Sequence, residues 1–463
     1  MKFKSLIALI VVLLGLGAYL YYGVQKPAEE KDSPEYGRLA QGTLEEISSF
    51  EIQTKEGSFS IAKENQRWVM VSPVKDLAAE SKILDLIAAL RRFKESRVLF
   101  SKEELEKEKP DLAQFGLKEP RLRLTYKEPS LKGPFEIKMG AQNPGNTSVY
   151  AQVSSSPAVY LATLDLDYLA AQRPEDFREM KLTTVKYENF SNLSLNSKGK
   201  ETKFQIKDDR WVMTAPYELP VDHEMVRQLA EKVSLVRANK FLDKAPVKSS
   251  SDTRVLVGFK EGVSDSRVVA GDQRPFGLEI QFFKTGKVPT YYAKGDKTPW
   301  AQVSQFHYDN LQKSPEDFIK KTFDDFEIQD VKQVKLKVPG SAEITLERTE
   351  ADEWTAQTAK DSKPGNRKNI EENLKGLRGM RALRFLSLTK PPSVYSLSMT
   401  LVLADASTRT FVFELKKDIG TLYTNLGGKA VEYVISPDIV NVDRWKWAFV
   451  TATNLEGKTS KEE

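Results

Sequence analysis

The chain has 463 residues, 40% hydrophobic and 29% charged, enough for about three domains of roughly 150 residues each. Its 70 basic and 65 acidic side chains leave a formal charge of +5, too even a balance for a nucleic-acid protein, which concentrates basic charge on one face. Cysteine is absent, which excludes disulfides, thiolate metal sites and cysteine nucleophiles, and His223 and His307 alone are too few for a histidine-rich metal centre, so no cofactor is expected.

The amino terminus carries Lys2 and Lys4, and then Leu6 to Val24 without a charge. Nineteen residues at about 1.5 Å each span about 28 Å, close to the hydrocarbon thickness of a bilayer. Tyr19, Tyr21 and Tyr22 cluster at the far end, where amphipathic rings favour the headgroup boundary. The pattern predicts an uncleaved single-pass transmembrane helix over residues 1–25, anchored in the inner membrane. Lysine counts on its two sides nearly tie, but a short basic head before an apolar run resembles an export signal, which places the body in the periplasm or otherwise outside the cytoplasm. The alternative is a cleaved signal peptide, with Leu6–Leu14 as its apolar core and Gly15 and Gly17 before the cut; either way the body is exported. A charged linker follows over 26–43.

Beyond the linker the chain repeats itself. Trp68, Trp211 and Trp354 are separated by 143 and 143 residues. Each follows a strand-like run ("SFSIAK", "TKFQIK", "AEITLE") and a polar turn, so each lies on the return strand of a β-hairpin. A helix with apolar residues at helical spacing comes next: Ile83, Leu86, Ile87, Leu90 and Phe93; Met225, Val226, Leu229, Val233 and Val236; Ile370, Leu374, Leu377 and Met380. Each helix runs into an apolar tail containing Phe100, Phe241 or Phe385. The first two copies share further phrases: "GLKE" (116–119) with "GFKE" (258–261), "GPFEI" (133–137) with "RPFGLEI" (274–280), "VYAQV" (149–153) with "YYAKG" (291–295), and "RPEDF" (173–177) with "SPEDF" (314–318). The third copy lacks the last phrase and ends with "VDRWKWAF" (442–449). A period of this length is that of a domain, so the sequence predicts an α+β protein of three tandem repeats, 44–185, 186–327 and 328–455, with a polar tail over 456–463. Each repeat is expected to be a mainly antiparallel sheet with an amphipathic helix packed on one face.

The repeated phrase reads as structure rather than chemistry. In "RWVMVSP", Trp68 and Met70 point one way and Val69 and Val71 the other, which predicts a strand buried on both faces and ended by Pro73. "SPEDF" reads as a helical turn, with Ser314 as cap, Pro315 at its first position and two acids at its positive end. "SPVK" (72–75), "SLN" (194–196) and "KTG" (284–286) mimic the penicillin-binding set, but Ser72 stands before a proline at a strand end, where that chemistry needs a serine opening a helix. Lys375, Arg378, Arg381 and Arg384 recur at helical spacing and are the candidate partner-binding residues, either a solvated ridge or a contact for an acidic partner or anionic lipid. Tyr291, Tyr292 and Trp300 are candidates for a glycan groove against a bland reading as core and rim. His223, His307 and Trp300 are singular to one copy, and a site that is not triplicated is expected among such features.

A membrane anchor, copies of the "RW" hairpin, an amphipathic helix, "FGLKEP" (Phe115 to Pro120) and "PEDF" together resemble a bacterial family catalogued as domain of unknown function 4340. The resemblance covers most of the chain after the anchor and weakens in the third copy. It implies an extracytoplasmic, membrane-tethered accessory to gliding-motility-type ABC export systems, and carries no catalytic residue with it. The expected function is therefore a non-enzymatic binding or scaffold protein with partners in an envelope complex. A cell-wall or polysaccharide-binding protein and an envelope hydrolase are the alternatives.

Overall fold

Each copy opens on a meander whose turns follow from its residues. In the first, Glu64 pairs with Arg67 across Asn65 and Gln66, both at positive φ (49° and 65°). In the second, Lys207 pairs with Arg210 across Asp208 and Asp209, at φ of 50° and 58°. Two-residue loops of this kind match the twist of the flanking strands, and Asn and Asp tolerate the left-handed region. The computed structural model describes residues 37–246, 253–263, 265, 278–296, 298–323, 325–359 and 361–437. The anchor expected over 6–24 and the terminal phrase at 442–449 lie outside them. Among the described residues no helix is long and apolar enough to cross a membrane.

The first sheet comprises β1 (Ser49–Thr54), β2 (Gly57–Glu64), β3 (Arg67–Ser72), β4 (Asp76–Leu77), β5 (Glu95–Phe100), β6 (Leu122–Lys127), β7 (Phe135–Gln142), β8 (Val149–Val153) and β9 (Ser156–Ala162). Their order is β4-β3-β2-β1-β6-β7-β8-β9-β5. Helix α1 (Glu80–Arg92) joins β4 to β5, and the short α2 (Lys102–Glu108) follows β5. The second sheet comprises β10 (Phe190–Ser197), β11 (Lys200–Lys207), β12 (Arg210–Ala215), β13 (Lys240–Phe241), β14 (Thr253–Phe259), β15 (Leu278–Thr285), β16 (Thr290–Gly295) and β17 (Trp300–Val303), with α3 (His223–Ser234) before β13 and α4 (Gln305–Asn310) after β17. The third comprises β18 (Val331–Lys337), β19 (Ile344–Arg348), β20 (Trp354–Gln357), β21 (Ser362–Pro364), β22 (Arg384–Ser387), β23 (Leu397–Leu403), β24 (Thr408–Leu415), β25 (Gly420–Leu426) and β26 (Lys429–Ile435), with α5 (Arg367–Arg378) before β22. Their orders, β12-β11-β10-β14-β15-β16-β17-β13 and β21-β20-β19-β18-β23-β24-β25-β26-β22, repeat the first, except that the second copy has no counterpart of β4. The fold is thus α+β, three antiparallel sheets built on one plan. In each copy the helix leaves one edge of the sheet and delivers the chain to the other, so it must cross one face. It buries Ile83, Leu86 and Leu90, then Val226, Leu229 and Val233, then Ile370, Leu374 and Leu377, each contributing about 1.5–3 kcal/mol.

A bridge just before each sheet marks where a copy begins. Arg38 pairs with Lys94, Lys181 with Arg237 and Thr322 with Arg381, each time between a lead segment and the residues after the helix. A copy therefore starts a few residues earlier than the tryptophan spacing suggests. The chain divides into two compact units, Met1–Glu179 and Met180–Glu463. Within the second unit the cores of copies two and three are continuous, and the Tyr217 and Phe385 rings meet at 5.4 Å.

A buried carboxylate ties each lead segment of the first two copies to the strand at the centre of its sheet. Glu128, 4% exposed after β6, accepts from the amides of Thr43 (3.0 Å) and Leu44 (3.1 Å) and from the Thr43 hydroxyl. Asp265, beyond β14, accepts from the Thr183 hydroxyl (2.5 Å) and the Thr184 amide (3.3 Å) and hydroxyl (2.9 Å). Gly42 sits at φ +89°, a left-handed conformation that favours glycine, and a Cβ there would displace the Glu128 carboxylate, whose Oε2 would lie 2.0 Å away. Gly140 is required by close approach, since a Cβ would lie 2.0 Å from the carbonyl of Phe115. That contact gives the "FGL" phrase a packing role.

Three expectations need correction, and the expected capped turn at "SPEDF" is present. Val71 is 45% exposed and Val69 only half-buried, so among the described residues the "RWVMVS" strand is fully buried on one face only, the face that carries Trp68 and Met70. Trp68 and Trp354 are 9% and 1% exposed, but Trp211 is half-buried, because β12 is an edge strand where β3 and β20 have a further neighbour. The "GLKE" and "GFKE" phrases are not equivalent: the first precedes β6, whereas the second continues from the end of β14. The "PEDF" phrases form 3-10 turns whose third-position acids cap them, Asp176 accepting from Arg173 N (2.8 Å) and Asp317 from Ser314 N (2.7 Å). Their phenylalanines are core residues, Phe177 packing on Phe59 (5.1 Å) and Phe318 on Phe204 (5.0 Å).

Candidate functional site

The four candidate cations do not share a helical ridge. Helix α5 ends at Arg378 with Gly379 as its cap, so Arg381 lies beyond it in the bridge to Thr322, and Arg384 opens β22. Arg378 is held by Glu327 at 2.6 Å. Arg381 faces Asp222, the residue that caps α3, at 3.7 Å. Lys375 and Arg384 are exposed. The helical spacing misled because the helix ends at Arg378, before Arg381 and Arg384.

The two histidines stand on the second copy. His223 opens α3 and is exposed; desolvation beside the helix and then the charge of Arg210 hold its imidazole below the usual range. His307, on α4, is half-buried against Phe306 (5.7 Å), and burial followed by the Arg237 charge lowers its pKa too. Both are neutral at pH 7. Ser72 ends β3 rather than opening a helix, and Ser194 lies mid-strand on β10, its hydroxyl 3.2 Å from Glu201. Among the described residues no group of His, Asp and Glu is placed to hold a metal ion.

The third singular residue, Trp300, borders a cleft of about 160 Å³ lined with Glu279, Gln281, Lys294, Gly295 and Asp296. The strand period and the register put them together. On β15 Leu278, Ile280 and Phe282 point into the core, which turns Glu279, Gln281 and Phe283 outward. Gln281 lies opposite Lys294, and Lys294 opposite Trp300, so three strands contribute one row to the outward face. Arg254 on β14 extends the row opposite Gln281. Its guanidinium grips Glu279 at 2.7 and 2.8 Å, and the Gln281 amide donates to the same carboxylate at 2.7 Å. Phe283 fixes the indole edge-on at 5.2 Å and 82° and stacks on Tyr292 at 5.3 Å. Lys294 Nζ reaches to 5.7 Å from the ring centroid. Thr298, which exchanges hydrogen bonds with Gly295 at 2.9 and 3.3 Å, curls the loop that brings Asp296 to the rim. Tyr291 turns the other way, packing on Tyr308 at 5.1 Å. Of the expected aromatic trio, the structure brings Tyr292 and Trp300 together and separates Tyr291.

Part of this row is common to the first copy. There Arg123 pairs with Glu136 at 2.7 Å, and Arg123, Lys138 and Gln152 lie opposite one another in turn. The row then stops at a tight hairpin, where Gln152 donates to the Pro157 carbonyl at 2.9 Å. In the third copy Tyr423 sits on the outward face between Glu432 (3.2 Å) and Glu414 (3.5 Å), and burial and these acids push its pKa up to about 12. Sequence reading missed Glu279, Gln281, Lys294 and Asp296. The alternation in "LEIQF" marked the first two as outward, but only strand register showed what they face.

Fold and site together define a tandem-repeat α+β protein whose copies share a frame and differ on their outward faces. The family model for "Domain of unknown function (DUF4340)" matches residues 68–255 and again 211–399. The chain belongs to that family. The matches begin at Trp68 and Trp211, and each runs from the return strand of one copy into a central strand of the next, so the family unit is longer than one copy. No curated protein matches the chain.

Proposed function

We propose that the protein is a non-enzymatic, membrane-anchored binding or scaffold protein working outside the cytoplasm, as an accessory to an ABC-type export or motility complex of the envelope. What supports this reading is the division between frame and face. The helix-covered side of every sheet is built alike, whereas the outward side carries an Arg–Glu row in the first copy, the same row extended by an indole and a cleft in the second, and an acid-flanked tyrosine in the third. A frame repeated for support and varied for contact suits a protein that holds partners. The exposed Lys375 and Arg384 suit an acidic surface on such a partner. The uncharged run from Leu6 to Val24 provides the tether. Crosslinking in intact membranes followed by mass spectrometry is expected to recover a membrane-complex subunit; recovery of glycan with no protein partner would overturn this reading. The cleft beside Trp300 favours the second reading, a polysaccharide-binding protein.

A further inference from the structure

The second copy presents apolar side chains to solvent where the first presents an ion pair. In the first copy Arg92, at the end of α1, meets Asp165 at 3.0 Å, two residues beyond Thr163. The corresponding residues of the second copy are Leu235 and Phe306. The Phe93 and Val236 carbonyls accept from Leu39 (3.1 Å) and Leu182 (2.9 Å), which fixes the first equivalence. Ser304 stands at the N-cap of α4 as Thr163 stands at that of its 3-10 helix, which fixes the second. Leu235 is 48% exposed and Phe306 64%, its ring set edge-on to His307 at 5.7 Å.

Register brings a third element to the same end of the sheet. Tyr291 lies opposite Val303, and Lys240 opposite Gln302. The β15–β16 hairpin, the start of α4 and the turn after α3 therefore leave the sheet together. The tip of that hairpin carries Val288, 83% exposed. The charges here are one-sided. Segments 235–238, 284–290 and 304–310 hold Arg237, Lys284 and Lys287 against the single acid Asp309. All three cations are exposed, and among the described residues no carboxylate pairs with them. A protein interface of about 800 Å² per side needs a continuous packed patch, and a second copy of this chain would set cation against cation. A bilayer boundary accepts separate apolar side chains one by one and offers phosphates to the cations around them.

We propose that this end of the second copy, Leu235, Val288 and Phe306 with Arg237, Lys284 and Lys287, rests on the surface of an anionic bilayer. The inference rests on the membrane-anchored reading, since a tether supplies the local concentration that so small a patch needs. It accounts for an ion pair of the shared frame being exchanged for two exposed apolar groups.

The chain contains no cysteine, so one introduced cysteine carries a nitroxide at a single place. Labels on Pro289→Cys and Gln305→Cys, beside Val288 and Phe306, are compared with one on Lys207→Cys, at the far end of the same sheet. The full chain is reconstituted with vesicles of phosphatidylcholine, alone or mixed equally with phosphatidylglycerol. Flotation reports the anchor, and power saturation with oxygen and a water-soluble nickel chelate reports the labels. With phosphatidylglycerol, labels 289 and 305 are expected to be reached by oxygen and shielded from nickel, and label 207 the reverse. Lys284→Gln with Lys287→Gln is expected to lower the ratio of immersed to free label by about tenfold or more. Leu235→Arg with Phe306→Asp, which writes the first copy's ion pair into the second and so suits the fold, is expected to return both labels to water. Floating vesicles whose labels 289 and 305 stay open to nickel overturn the proposal and spare the anchor; failure to float overturns both. Labels shielded from both probes signal a protein contact and overturn the proposal, as does immersion unchanged in both double variants.

Discussion

Replacing Trp354 by alanine should be among the most damaging single changes in the second unit, and by a calculable margin over Trp211. Trp354 is 1% exposed, and among the described residues its indole nitrogen has no hydrogen-bond partner, so its contribution comes from packing and from the cation over its ring. An indole burying about 200 Å² at about 25 cal/mol per Å² gives about 5 kcal/mol, and core Trp→Ala changes measure about 3–5. The Arg348 guanidinium lies 4.9 Å over the ring with its side chain only 8% exposed, so truncation also strips a buried cation of its aromatic neighbour. A loss of about 4 kcal/mol at a urea slope of about 3 kcal/mol per M moves the midpoint by about 1.3 M. Trp211, half-buried on its edge strand, lies opposite Ile206 with no cation over it among the described residues, and its truncation should move the midpoint by about half as much. Trp354→Phe, which keeps a ring and forfeits no hydrogen bond, should cost about 1–2 kcal/mol. Urea unfolding followed by far-ultraviolet circular dichroism measures all three. The reasoning fails if Trp211→Ala shifts the midpoint as far as Trp354→Ala, or if Trp354→Phe is as damaging as alanine.

Glu128→Ala should destabilise the first unit by about 2–4 kcal/mol, since the buried Leu44 amide loses its acceptor, as do the Thr43 amide and hydroxyl; amide exchange at residues 43 and 44 reads the loss directly. Arg254→Ala removes an ion pair whose arginine is about half exposed and should change stability by less than about 1 kcal/mol, a null result visible in the same urea titration. The lowered pKa of His307 implies that the unfolded chain takes up this proton first on acidification. Its contribution is therefore complete above about pH 6.5 and falls away as pH drops below that value. His307→Gln should flatten this part of the stability–pH curve, as thermal melts from pH 7.5 to 5 would show.

Much of the frame was legible because it rests on short-range rules. The tryptophan spacing, the turn residues Asp208 and Asp209 and the helical spacing of Ile83, Leu86 and Leu90 each declare a local conformation, and three occurrences reinforce one another. What failed depended on neighbours in space. Val71 reads as buried until one sees that its face is left 45% exposed among the described residues. Arg381 and Arg384 read as helical until Gly379 ends the helix, and then each serves a different element. The phrase "GFKE" matched "GLKE" in letters but not in place. The cleft was hardest of all to read. Trp300 stood out as singular, but Glu279, Gln281 and Lys294 are ordinary outward residues of ordinary strands, and only the pairing of β15, β16 and β17 makes them a site.

A photoreactive residue at position 294, in the outward row of the second copy, compared with one at position 138 in the matching row of the first, tests the account most directly. In intact membranes the account predicts a defined adduct from position 294 that disappears when Trp300→Ala is added, and none from position 138. Equal labelling from both positions, or labelling from position 138 alone, would contradict it.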